Sequence, residues 1–537
     1  MNLGSLLQDN IEKYGEYDNI YFEGRWYTNV ELNRQANRLG NALKSLGIEK
    51  GDRVAIQMPN SPVVIWSFPT IYRIGCIAVP MNPLLRPDQS ACIFKDCGAR
   101  AVITSPEYVP WIQAAQKQAT DLKYVIVTEK DDIPGTIGYD KLTADRADTL
   151  EIEETDNDDV AALIYTAGTT GPNKGVMHTH FSLYMTAIGL GEFVQRYRST
   201  TLYAKSSKLN ARTHKPVVEE HMVTAIDRMG TALFVLPLSH SYGLAISLAG
   251  SLGASRGIIM KWFNIEQALK LIQDFRITTF TGVPAMYIMM LNHPDFDKYD
   301  LSSLQECASG AAALPPEVGK LWKEKTGTYI IEGWGLTETG ATTCGNPPNR
   351  PPKYGSIGKC MVKADTVKVF DDNDRELPAG KTGEIVVKGP TVMKGYWNLP
   401  KETEETLRNG WLHTGDVGYV DEDGYFFITD RKKDIIIRGG ENVSPREVEE
   451  VLLQITQIAE AAVISMPDKT YGEEIKACVV LKPGTQINTE EVIAFCRDRL
   501  PTFKVPKVVK VMDSLPKNLM GKLLRAELRK LENRQAD

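Results

Sequence analysis

A large excess of charge of either sign is lacking in this chain. It carries 62 Lys and Arg against 68 Asp and Glu, a formal charge of −6. A mildly acidic balance argues against a dedicated nucleic-acid binder, which would need a basic surface. Long hydrophobic runs are also lacking. No stretch approaches the roughly 18 apolar residues of a membrane span, so no integral membrane segment is expected. The first residues place Leu3, Leu7, Ile11 and Tyr14 at helical spacing, interrupted by Asp9 and Glu12. That pattern predicts an amphipathic helix rather than a secretory leader. Eight cysteines are scattered without a C-x-x-C pair, and Cys92 and Cys97 stand closest. A disulfide scaffold and a zinc site are both poor readings, so reduced thiols and a cytoplasmic location are expected.

What is present is ordinary globular material. Hydrophobic residues make up 42% and charged residues 24% of 537 residues. At roughly 150 residues per domain this length suggests two to four domains. Strand-like runs at Val54–Ile56, Val102–Thr104, Val125–Thr128, Leu163–Thr166, Thr278–Phe280 and Tyr329–Ile331 alternate with helical patterns such as Glu31–Leu46 and Ile265–Asp274. The alternation predicts layered α/β sheets, mainly parallel. After about residue 360 the texture changes to Thr366–Phe370, Glu384–Lys388 and Gly424–Thr429, separated by turn clusters. This is an antiparallel, β-barrel-like section. Beyond Asp430-Arg431-Lys432-Lys433-Asp434, the segment Ser444-Pro445-Arg446-Glu447 has the pattern of a helix start, with Val448, Val451, Leu452 and Ile455 as its buried stripe. A small α+β domain of about 100 residues is expected there. From Arg497 onward eleven basic residues face five acidic ones, a balance that suits a polyanionic ligand or simply a solvated helix. Residues 196–228 lack periodicity and read as a surface insertion.

Four segments carry chemistry. Leu163-Ile-Tyr-Thr-Ala-Gly-Thr-Thr-Gly-Pro-Asn-Lys-Gly175 runs a strand into a loop of Gly, Thr and one Lys. Such a loop offers backbone N–H groups, hydroxyls and an ammonium to a polyphosphate, although its spacing is not that of the usual P-loop. Taken alone it is equally a plain turn. In Ile331-Glu-Gly-Trp-Gly-Leu-Thr-Glu-Thr-Gly340, Glu338 offers a hard oxygen ligand for Mg²⁺ and Trp334 a face for a base. A solvated Glu and a buried aromatic are the alternatives. In Trp411-Leu-His-Thr-Gly-Asp-Val-Gly418, Asp416 reads as a turn residue able to accept two hydrogen bonds from a vicinal diol. In Leu515-Pro-Lys-Asn-Leu-Met-Gly-Lys-Leu-Leu524, Lys522 follows a Gly and precedes a basic helix; in isolation it is a surface residue.

These four segments, in this order and across essentially the whole chain, resemble the AMP-forming acyl-CoA synthetases. Luciferases and the adenylation domains of peptide synthetases belong to the same superfamily. The resemblance implies a large N-terminal α/β domain over 1–432 and a small mobile domain over 433–537. It implies that a carboxylic acid is joined to ATP as an acyl-adenylate, and that coenzyme A then displaces AMP. Thr166, Gly168, Thr169, Thr170, Gly171 and Lys174 would cradle the β- and γ-phosphates, Thr337 would touch the α-phosphate and Glu338 would hold Mg²⁺. Trp334 would stack on adenine, bordered by Gly310, Ala311, Glu332 and Gly333, while Asp416 and Arg431 would hold the ribose. Lys522 resembles the catalytic lysine, Lys433 the hinge, and Gly440 a residue brought to the coenzyme A tunnel. His240, in Pro237-Leu-Ser-His-Ser-Tyr-Gly243, resembles the gate between acyl pocket and thiol tunnel, with a structural histidine as the alternative.

The chain departs from the family pattern at Ala167, where Ser is usual, at Asn173, where Pro is common, and at Trp334, where Tyr is commoner. No essential charge is lost. Ser241 stands where peptide-synthetase domains place an Asp, which disfavours amino acids. Ala308, Gly310, Ala311, Ala312 and Gly335 are small and suit an apolar tail. The expected substrate is therefore a medium-chain, cyclic or aryl carboxylic acid, with transfer to a carrier-protein thiol as the alternative to coenzyme A. A homodimer is compatible with the sequence.

Overall fold

In the computed structural model, residues 2–166, 173–193, 230–348, 350–517 and 523–533 are described. The expected insertion at 196–228 lies outside them. The chain divides into two compact units, one of residues 1–167, 173–366 and 388–412, the other centred on 367–387 and 413–537.

Two large sheets build the first unit. The eight-stranded one follows the order Gly395–Tyr396, Lys174–Thr179, Val160–Thr166, Ile77–Pro80, Arg53–Gln57, Ala99–Thr104, Tyr124–Val127 and Ile137–Gly138. Its middle strands pair in parallel. Val54, Ala55, Val102 and Ile103 are fully buried, as expected of parallel strands covered on both faces. The nine-stranded sheet carries a parallel run in the order Ile330–Trp334, Glu306–Ser309, Thr279–Gly282, Thr231–Phe234, Arg256–Ile259.

Helix starts follow the local chemistry. Thr28 accepts the Glu31 N–H at 3.1 Å ahead of Asn29–Ser45, and Asn264 accepts the Gln267 N–H at 2.9 Å ahead of Ile265–Asp274. The amphipathic N-terminus forms a short 3₁₀ turn, Leu3–Ser5, and then the helix Leu6–Tyr14. Arg73 is a buried charge that the sequence did not announce. It is 1% exposed, donates to Gly4 O at 2.8 Å and to the Asn37 and Asn33 side chains at 2.5 and 2.6 Å, and burial lowers its pKa to about 10.

The second unit holds an antiparallel sheet built chiefly from Thr366–Phe370, Gly383–Lys388, Trp411–Val420 and Phe426–Arg431. A further sheet of Glu441–Val443, Ile436–Arg438, Gly472–Leu481, Ile458–Asp468 and Val508–Val511 follows. Ser444 caps Pro445–Leu452 by accepting the Glu447 N–H at 3.2 Å, and Val448 and Leu452 are buried below it. All eight cysteines are free thiols. Among the described residues no helix is long and apolar enough to cross a membrane.

Candidate active site

The parallel run of the nine-stranded sheet ends in loops at its carboxyl edge, where open α/β sheets bind ligands. Gly310 and Ala311 follow Glu306–Ser309, the turn Thr337–Thr339 follows Ile330–Trp334, and His240 follows Thr231–Phe234. Sheet register thus gathers candidates that are about 100 residues apart in sequence. A Cβ on Gly310 would stand 3.0 Å from the Tyr242 ring. Ala311 takes φ +66°, a conformation unfavourable for a residue with a side chain, as is common where backbone is shaped for a ligand. Glu332 is buried, and its Oε1 accepts the Leu314 N–H at 3.1 Å, fixing the loop after Gly310 to the strand. Gly333 pairs with Gly345 and Trp334 with Cys344, so Trp334 lies within the strand and is half-buried. That strand reaches further than Tyr329–Ile331, the run legible in the sequence.

The Thr337–Glu338 turn is held from below. His178 Nε2 donates to Thr337 O at 2.6 Å, and its Nδ1 faces the Ser182 hydroxyl at 3.1 Å. A carbonyl can only accept, so the ring carries its proton on Nε2. The ring is fully buried, and burial lowers its pKa to about 4. Gly340 closes the turn at φ +71°, where a Cβ would meet Thr186 Oγ1 at 2.4 Å. His178 and Thr186 lead into and belong to the helix over 180–193, which continues from the strand Lys174–Thr179. The strand Lys174–Thr179 and the Glu338 turn are thereby tied to one another.

Thr166 and Lys174 are Cα partners across the hairpin that flanks the Gly/Thr loop. Gly168, Thr169, Thr170 and Gly171 lie outside the described residues, as does Lys522. The Lys174 ammonium sits 4.8 Å from the centroid of the Tyr396 ring. The Tyr396 hydroxyl donates to Glu338 Oε1 at 2.8 Å. Neither Tyr396 nor His178 was singled out by sequence.

Among the described residues no cluster of three or more His, Cys, Asp or Glu could hold a metal. A single carboxylate such as Glu338 would suit a Mg²⁺ ion, which commonly keeps water and substrate phosphates as its other ligands.

His240 caps the helix Ser241–Ser251, its Nδ1 accepting the Tyr242 N–H at 3.2 Å, which leaves the neutral ring's proton on Nε2. Close by in the chain, Leu233, Phe234, Val235, Leu236, Gly243 and Ile246 line a narrow cavity without a charged side chain.

In the second unit Asp416 is not a turn residue. It lies inside the strand Trp411–Val420, opposite Arg431, because the pairing with Phe426–Arg431 overrides the local turn chemistry of Thr-Gly-Asp. Its side chain is 2% exposed and forms an ion pair with Arg431 Nε at 2.7 Å. The two residues expected on a ribose therefore hold each other in place. Lys433 is exposed in the following turn. Beside it, Asp434 pairs with Arg529 at 3.2 Å and Arg525 at 3.8 Å. Gly440 is exposed, at φ +91°.

The sequence profile of the AMP-binding enzyme family matches residues 7–397, and that of the AMP-binding enzyme C-terminal domain matches residues 447–522. A long-chain-fatty-acid–CoA ligase of Bacillus subtilis (strain 168) is 35% identical over 553 residues, covering 98% of this chain and 94% of that protein. The anthranilate CoA ligase AuaEII in complex with anthranoyl-AMP superposes with a TM-score of 0.86 at 29% identity, over 100% of this chain and 98% of that one. The o-succinylbenzoate CoA synthetase of Bacillus subtilis, bound to its acyl-adenylate intermediate, gives 0.81 at 27% identity, over 98% of both chains. The chain belongs to the AMP-binding enzyme family and is an AMP-forming acyl-CoA synthetase, an acid–thiol ligase that works through an acyl-adenylate with ATP and coenzyme A as co-substrates.

Proposed function

We propose that the acid is an apolar carboxylic acid, with an alkyl chain foremost and cyclic or aryl acids as further candidates. The observation that carries this is the uncharged lining of the narrow cavity at Leu233–Leu236, Gly243 and Ile246, close to His240 in the chain. A charged or zwitterionic tail would lose its hydration there without a partner. The Bacillus subtilis relative, a long-chain-fatty-acid–CoA ligase, supports an alkyl acid, and the anthranilate ligase supports an aryl one.

In this reading the first step is limited by repulsion between the attacking carboxylate and the α-phosphate, and preorganised positive charge offsets it. Lys174 and the Gly/Thr loop from Thr166 to Gly171 take the β- and γ-phosphates. Thr337, its carbonyl fixed by His178, presents its side chain to the α-phosphate. Mg²⁺ held at Glu338 supplies neutralisation of phosphate charge when bound. Trp334 stacks on adenine beside Gly310, Ala311, Glu332 and Gly333, and the Asp416–Arg431 pair takes the ribose hydroxyls. Lys522 neutralises charge as the carboxylate attacks. The domain over 433–537 then turns about Lys433, withdrawing Lys522 and delivering Gly440 to the thiol path that His240 gates.

Turnover over acetate, hexanoate, palmitate, benzoate and cyclohexane carboxylate with coenzyme A tests the substrate class. Hexanoate or palmitate is expected to lead, and best turnover of acetate or of an amino acid overturns the proposal.

A further inference from the structure

We propose that Tyr396 is a positioning residue that sets both charged groups of the triphosphate site, its hydroxyl aiming Glu338 and its ring seating Lys174. This rests on the reading above, in which Glu338 holds the cation and Lys174 the phosphates.

The placement of Tyr396 is dictated by backbone. Gly395 pairs with Met177 and Tyr396 with Val176, adding a short strand to the edge of the phosphate-loop hairpin. Lys394 N donates to Met177 O at 2.9 Å and Trp397 N to Gly175 O at 2.7 Å, one on each side of Tyr396. Met393 N donates to Glu338 O at 2.8 Å, so the same segment grips the main chain of the residue whose side chain Tyr396 holds. Trp397 Nε1 and Asn398 Nδ2 donate to Asp96 O at 3.1 and 3.0 Å, closing the far end. The Tyr396 N–H is itself taken by Thr403 Oγ1 at 2.9 Å. The residue is 7% exposed.

The contacts of the side chain are directional. A carboxylate only accepts, so the 2.8 Å contact to Glu338 Oε1 is a donation from the tyrosine. With Oε1 engaged, the glutamate is confined to one orientation, and Oε2 is the oxygen presented to a cation. On the other side, the Lys174 ammonium lies 4.8 Å from the ring centroid, within the range of cation–π attraction. One rigid ring thus fixes the spacing of a cation and an anion that act on the same polyphosphate. Groups that orient a metal-holding carboxylate typically change metal affinity by about 10- to 100-fold when removed.

The two contacts separate by substitution. Tyr396→Phe removes the donor and keeps the ring, while Tyr396→Leu removes both. Mn²⁺ is the probe, titrated by electron paramagnetic resonance in the presence of α,β-methylene-ATP, whose bridging carbon blocks adenylate formation. Binding of the same analogue in EDTA is measured separately. Tyr396→Phe is expected to weaken Mn²⁺ by about tenfold or more and to leave metal-free analogue binding within about twofold of the parent. Tyr396→Leu is expected to weaken both. Incorporating 3-fluorotyrosine at 396, which keeps ring and hydroxyl, is expected to restore Mn²⁺ binding. Glu338→Gln is the control. If it loses Mn²⁺ while Tyr396→Phe matches the parent, the positioning role is overturned and the reading of Glu338 stands. If Glu338→Gln binds Mn²⁺ like the parent, the reading of Glu338 falls and takes the proposal with it. Should Tyr396→Phe not fold, the ¹⁹F resonance of the 3-fluorotyrosine protein decides. It is expected to shift when diamagnetic Mg²⁺ and the analogue are added, and an unmoved resonance overturns the proposal.

Discussion

Acid should loosen the first unit through His178, and the size of the effect can be worked from the ring's surroundings. The imidazole is fully buried, donates from Nε2 to Thr337 O, and faces Ser182 with Nδ1. Protonation would add a charge with no anionic partner and turn Nδ1 from acceptor into donor. The folded chain therefore takes up this proton only near pH 4, whereas the unfolded chain takes it up near the ordinary value of 6.5. Between those values the unfolded state binds more protons, so stability rises with pH there and is lost as pH falls through the window. Each tenfold difference in proton affinity between the two states is worth about 1.4 kcal/mol, so this one ring costs roughly 3 kcal/mol at most. His180 acts in the same direction, its pKa lowered to about 4 by burial against an opposing Asp159 charge. Urea unfolding followed by tryptophan fluorescence, run from about pH 7.5 to about pH 4 on the parent and on His178→Gln, isolates the ring. The glutamine can still donate to Thr337 O but cannot titrate. The parent should lose up to roughly 3 kcal/mol more than the variant across the window. Parallel curves for the two proteins would refute the buried neutral ring.

Further outcomes follow from the same structure. Lys522→Ala should depress adenylation by about 10²- to 10³-fold while sparing thioester formation from supplied acyl-adenylate, both read by product chromatography; equal losses would remove its assigned role. Lys433→Pro should leave pyrophosphate exchange intact and slow the coenzyme A step, and an unimpaired overall rate would count against a hinge there. Gly340→Ala forces a side chain into φ +71° and against Thr186, and should cost about 1–3 kcal/mol of stability in a thermal melt. Arg525→Met strips Glu449 of a two-pronged partner at 2.7 and 2.8 Å; it should destabilise the second unit by about 3–5 kcal/mol, read from its unfolding midpoint.

The legible parts of the molecule were those encoded by neighbours in sequence. Buried strands such as Val54–Ile56 and Val102–Thr104 are short runs rich in apolar, β-branched residues, and Ser444 and Asn264 mark helix starts by their own side chains. The family was legible because four segments of about ten residues each carry its pattern in order. Contacts set by sheet register were not. His178 reaches Thr337 across 159 positions and Tyr396 reaches Glu338 across 58, and neither lies in a motif with chemistry of its own. A tyrosine in Lys394-Gly-Tyr-Trp397 reads as ordinary core filling until the edge strand is paired. Asp416 shows the opposite error, since a local turn signal was overridden by a partner strand about 15 residues away.

The account turns on the acid's own oxygen bonding to phosphorus before sulfur displaces it. Hexanoate or palmitate labelled with ¹⁸O in both carboxylate oxygens, incubated with the enzyme, ATP and coenzyme A, tests this by mass spectrometry of the products. One labelled oxygen should appear in AMP, none in pyrophosphate and one in the thioester carbonyl. Label in pyrophosphate or inorganic phosphate, or AMP without label beside a formed thioester, would contradict an acyl-adenylate path.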